Sequence, residues 1–199
     1  MKNLKKMIKA IFEKFRNHAI TAQLQALKES EKSEDFDLVE VQQIAEELPI
    51  CEDEKQLIEW IANQKINRSI RHIVIHCTAT RTNATATAIL NYWKNTLKWK
   101  NPGYHILFHY EKGFTIMADL DRVCNGVAHH NSNSIHLSYI GGIDASGKPI
   151  DNRSESQKRL MKLAVNELKK RLSTVIVQGH RDFPKVAKAC PCFDAKKEF

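Results

Sequence analysis

The chain has 199 residues, 42% of them hydrophobic and 27% charged, the balance of a soluble globular protein with one well-buried domain and a smaller module. No apolar stretch approaches the roughly 18–20 residues of a membrane-spanning helix. The net charge of +8 points to an anionic partner such as cell-wall polymer, nucleic acid or a membrane surface, and does not choose among them.

That charge is unevenly spread. Residues 1–28 carry seven Lys/Arg against one Glu, residues 29–59 two Lys against twelve Asp/Glu, and residues 60–199 carry 22 basic against ten acidic side chains. In the first segment Leu4, Ile8, Ile11 and Phe15 recur at helical spacing among lysines, which predicts a basic amphipathic helix. Residues 1–27 are therefore a candidate for membrane contact, with docking on the chain's own domain as the alternative. The same stretch does not read as a secretory signal, because Lys5, Lys6, Lys9, Glu13 and Lys14 break its apolar run. Synthesis in the cytoplasm without a signal peptide is expected, and with it five reduced cysteines. Residues 28–37 read as a solvated linker, followed by helical patterns near residues 39–48 and 53–63 on either side of Pro49.

The pattern changes at residue 68. Residues 71–76 have the β-branched content of a buried strand, and a helix is expected over 86–97 with Ile89, Tyr92, Trp93 and Leu97 on one face. Residues 104–110 and 114–118 form a hairpin pattern across Glu111-Lys112-Gly113. Another strand is expected over 134–140. Ser154 to Gln157 form a capping box that opens a helix running to about Leu172, and residues 174–178 are the last strand. Strands alternating with helices predict an α/β domain with a mixed sheet, residues 68–199, preceded by a helical N-terminal extension, residues 1–67.

Three potential metal ligands fall where strands end or just beyond. His76 closes the first strand and His180 the last, and Cys190 follows ten residues later, a loop long enough to return to them. Two imidazoles and a thiolate are a donor set that catalytic zinc uses while leaving a position for water. Nine histidines in one chain make accidental pairs common, so spacing alone leaves a structural role open. His105, Cys77, Trp93 and Trp99 are expected in the core, and Cys192 is a rival to Cys190.

The segments VIHCTAT (74–80), PGYHILFH (102–109), NSNSIHLSYIGGID (131–144), GHRD (179–182) and KACPCFD (188–194) resemble, in order, the signatures of type 2 N-acetylmuramoyl-L-alanine amidases, a family that includes phage amidases and peptidoglycan recognition proteins. The resemblance covers residues 68–199 and none of 1–67. It implies an amidase/peptidoglycan recognition protein-like fold, a zinc ion (Zn2+) held by His76, His180 and Cys190, and catalytic roles for Tyr104 and Lys188. It implies peptidoglycan as the partner and, less directly, substrate contacts from His130, Asn131 and Asn133. The expected activity is zinc-dependent hydrolysis of the bond between N-acetylmuramic acid and L-alanine, by a phage-type lysin or a wall-targeting effector that acts on the wall after release or export. The expected state is a monomer. The alternatives are a non-catalytic peptidoglycan-binding module of the same fold and a basic nucleic-acid binder. Nucleic acid is not expected as a partner, since no matching motif accompanies the charge.

Overall fold

A computed structural model describes residues 48–172 and 174–199. The basic helix expected at the start and the helical pattern near 39–48 lie outside the described residues, apart from Leu48. Within residues 50–199 the chain forms one compact unit around a five-stranded sheet. The elements are α1 (Glu54–Asn63), β1 (His72–Cys77), α2 (Ala86–Asn91), β2 (Ile106–Phe108), β3 (Phe114–Ile116), β4 (Ser134–Tyr139), α3 (Glu155–Arg171), β5 (Ile176–Gly179) and α4 (Ala195–Glu198). The strand order is β3-β2-β4-β1-β5, with only the β2–β3 hairpin antiparallel. This is the mixed sheet flanked by helices that the sequence predicts.

The two faces of the sheet have different chemistry because strand side chains alternate. Ile73, Ile75 and Cys77 of β1 and Ile135, Leu137 and Tyr139 of β4 join the main core, together with Leu160, Met161, Ala164, Val165 and Leu168 of α3. The other parity puts His72, Val74 and His76 beside Ser134, His136 and Ser138, with registers His72↔Ser134 and His76↔Ser138. The apolar face is roofed by a helix, and the histidine face is left for the site.

The capping box forms as predicted. Gln157 N–H donates to Ser154 Oγ and Ser154 N–H donates to Gln157 Oε1. Gln157, fully buried, also spends its Nε2 on the carbonyls of Phe108 and Ile140, which fixes α3 to the ends of β2 and β4. α1 begins at the Asp53 cap and packs on α3, and it buries Leu57 and Ile61 completely. Sequence patterning groups α1 with the N-terminal extension, yet its apolar side chains belong to the same core as residues 68–199.

One helix departs from expectation. α2 is regular only to Asn91 and passes into a π-helical turn over Tyr92–Thr96. The wider turn rotates the face, so Ile89 and Trp93 are buried while Tyr92 and Leu97 face solvent.

Candidate metal and catalytic site

β1 and β5 run parallel with Ile75 opposite Gly179, so the residues that follow, His76 and His180, emerge side by side. Their rings stand 4.9 Å apart between centroids. Cys190 returns to them because the loop is tied at three points. Arg181 N–H donates to Cys190 O at 2.8 Å, Cys77 N–H donates to Cys190 Sγ at 3.2 Å, and Tyr139 Oη donates to Pro191 O at 2.7 Å. Gly179 is required by this closure, since a Cβ there would lie 2.5 Å from Pro191 Cδ.

One donor atom from each of His76, His180 and Cys190 lies within 4.8 Å of the others. Nδ1 of His76 is the ring nitrogen near Cys190 Sγ, at 3.8 Å. Tetrahedral zinc with bonds of about 2.0–2.3 Å spaces its donors about 3.3–3.8 Å apart, so the cluster fits that ion after a small contraction. Burial, with the charges of His180 and Lys188, holds His76 well below the usual imidazole range, and burial with Lys188 pushes His180 down to about 4. Both rings are therefore neutral near neutral pH, the form that ligates metal.

Tyr104 stands against this cluster, its ring 5.1 Å from that of His76, and its hydroxyl donates to Cys77 O at 3.4 Å. Burial pushes its phenol up, so it stays a protonated donor. Trp93 meets Tyr104 edge-on at 5.1 Å and stacks on Trp99 at 6.3 Å, which gives the tyrosine a rigid support. Gly103 leaves room for that indole, because a Cβ would come within 2.8 Å of it. Lys188 is exposed and lines a shallow pocket with Cys190, Cys77, Ala79 and Gly142.

His130, Asn131 and Asn133 are not brought to this cluster. Asn131–Asn133 is a 3-10 turn at the amino end of β4, level with His72, about 13 Å along the strand from His76. Asn131 Oδ1 accepts from Val127 N–H, and His130 packs on Phe183 and His72. His105 is fully buried, as expected, but it lies just before β2 and its ring stacks on His136, on the same face of the sheet as His76. Its Nδ1 accepts from His136 N–H and its Nε2 donates to Arg122 O. Cys192 faces Cys77 Sγ and Gly142 O rather than the histidines. Two contributors were missed by sequence reasoning. Tyr139 braces the Cys190 loop, and His136 lies 3.1 Å from His76 Nε2 through its Nδ1. Strand alternation alone could have put His136 on the face of His76, but nothing local gives the register that joins them.

Comparison with known proteins agrees with this geometry. Endolysins are among the similar sequences: one of Klebsiella phage KP32 is 31% identical over 63% of this chain and 82% of its own, and one of Escherichia phage T7 is 27% identical over 67% and 87%. In fold, the chain is similar to the Ph2119 endolysin from the Thermus scotoductus bacteriophage Ph2119 (TM-score 0.55, 18% identity, 68% of this chain and 88% of that one). It is also similar to Apis mellifera PGRP-SA (TM-score 0.53, 19% identity, 70% and 90%). The family model for N-acetylmuramoyl-L-alanine amidase, Amidase_2, matches residues 66–193, a span that takes in His76, His180, Cys190 and Tyr104. The chain therefore belongs to the Amidase_2 family of N-acetylmuramoyl-L-alanine amidases.

Proposed function

We propose that this chain hydrolyses the amide bond between N-acetylmuramic acid and L-alanine in bacterial peptidoglycan, as a zinc-dependent lysin of the phage type. The observation that carries the reading is the convergence of His76, His180 and Cys190 within 4.8 Å, with the Tyr104 ring against His76. Bound by those three side chains, zinc would supply Lewis acidity toward the lactyl carbonyl and a more acidic attacking water. Tyr104 donates its hydroxyl hydrogen bond to the oxygen that gains charge as the carbonyl carbon becomes tetrahedral. Lys188 holds an ammonium at the mouth of the site, where it attracts the same developing charge. The oxygen of water bonds to the lactyl carbonyl carbon and the C–N bond breaks. Both water protons end on the L-alanine ammonium, leaving a lactyl carboxylate. The phage endolysins among its relatives support action on the wall from within a lysing cell.

Digestion of purified peptidoglycan with mass spectrometry of the products tests this. Free stem peptides that begin with L-alanine are expected, and a Cys190→Ala chain should release none. Cleavage between sugars, or full activity in Cys190→Ala, would overturn the reading. Stoichiometric zinc and wall binding without peptide release would make the chain a binding module.

A further inference from the structure

We propose that His136 is a positioning residue for the metal centre. Its Nδ1 accepts the Nε2–H of His76, which fixes the His76 ring in the tautomer whose Nδ1 lone pair points toward Cys190. The inference rests on the zinc reading above. His136 is fully buried in the middle of β4, and its Nδ1 lies 3.1 Å from His76 Nε2. The far nitrogen, Nε2, has no hydrogen-bond partner among the described residues. The neighbouring His105 ring cannot supply one, since both of its nitrogens are taken by His136 N–H and Arg122 O. A residue kept only for packing would be apolar here, because an orphaned buried polar atom destabilises the fold. The polar ring is explained if its one engaged nitrogen has work to do on His76.

The surroundings are shaped to that ring. Gly126 leaves it space, because a Cβ there would come within 2.3 Å of His136 Nδ1. The His105 ring stacks on it at 5.8 Å with planes 23° apart, so it is held on its other side. Of the two tautomers of the His76–His136 pair, only the one with hydrogen on His76 Nε2 leaves Nδ1 able to bind metal. A partner that accepts from the remote N–H of a ligating histidine fixes ring orientation and raises ligand basicity.

The test uses the full chain, with zinc affinity from competition against a chromophoric chelator and long-range 1H–15N NMR of the ring nitrogens. In the zinc-loaded chain His76 should carry hydrogen on Nε2 and none on Nδ1. His136→Leu should bind zinc about 10- to 100-fold more weakly. His136→Asn, whose Oδ1 can take the place of Nδ1 as acceptor, should recover most of that loss. Equal affinities in wild type and His136→Leu, equal losses in both variants, or an unprotonated His76 Nε2 in the zinc-loaded chain would each overturn the proposal. The NMR result decides it even if His136→Leu fails to fold. A wild-type chain that takes up no zinc overturns the metal reading along with it, whereas tight zinc with an indifferent His136→Leu overturns this proposal alone.

Discussion

Tyr104 shows how much of the site depends on single atoms. Its ring is fixed between His76 and Trp93, so removing the hydroxyl should leave the ring where it is. The burial that raises its pKa keeps it a hydrogen-bond donor throughout the neutral range. Tyr104→Phe should therefore lower kcat by about 10²–10³, the usual loss for one donor to a developing oxyanion. Zinc content and melting temperature should stay near those of the wild-type chain. Rates on purified wall, measured beside metal analysis, check this. A variant that loses zinc as well would make Tyr104 a structural support of the ligands instead. Gly103 and Gly179 work at the same scale, one admitting the Trp93 indole and the other the Pro191 ring that follows Cys190.

At the scale of elements, α3 is the part whose formation and placement are easiest to separate. Ser154 contributes only its cap, so Ser154→Ala should cost about 1 kcal/mol. Gln157 caps the same turn and also reaches the Phe108 and Ile140 carbonyls from a fully buried position. Gln157→Ala should cost about 2–3 kcal/mol, because a buried acceptor loses its donor and a gap opens beneath the helix. Urea unfolding of the two variants checks the difference, and equal losses would mean that Gln157 acts as a cap alone. Elements defined by local signals were legible in the sequence: the Ser154 box, the hairpin around Gly113 and the β-branched run before His76. α1 was legible as a helix, but its attachment was not, since its partner α3 lies about a hundred residues away. The π-helical turn after Asn91 was hidden because 3.6-residue periodicity cannot register a wider turn. The convergence of His76, His180 and Cys190 was readable because strand ends and family motifs coincide on them. His136 was not, because its role depends on the β1–β4 register, which only the folded sheet provides.

Across the whole molecule, the histidine face of the sheet makes stability depend on acid. His76, His105, His109, His136 and His180 are all held below the ordinary imidazole value chiefly by burial. His105 is pushed down to about 3 and His109 to about 4. The unfolded chain takes up protons as pH falls through 6.5, while the folded chain refuses them until the lower values are reached. Stability is thus fully present above pH 6.5 and falls as the solution is acidified toward pH 4. His109 isolates one contribution, since it is not part of the His76–His180–Cys190 cluster and its Nε2 pairs with Thr115 Oγ1 at 2.8 Å. Its shift corresponds to about 3 kcal/mol over the full window, an order of magnitude that one proton's linkage allows. His109→Gln should lower stability at pH 7 but reduce the drop between pH 7 and pH 4.5. Urea unfolding in the presence of a chelator, which removes metal linkage from the measurement, reads both effects. An unchanged slope in His109→Gln would assign the acid sensitivity to the other buried rings, and a wild-type chain equally stable at both pH values would show that these histidines are protonated in the folded state.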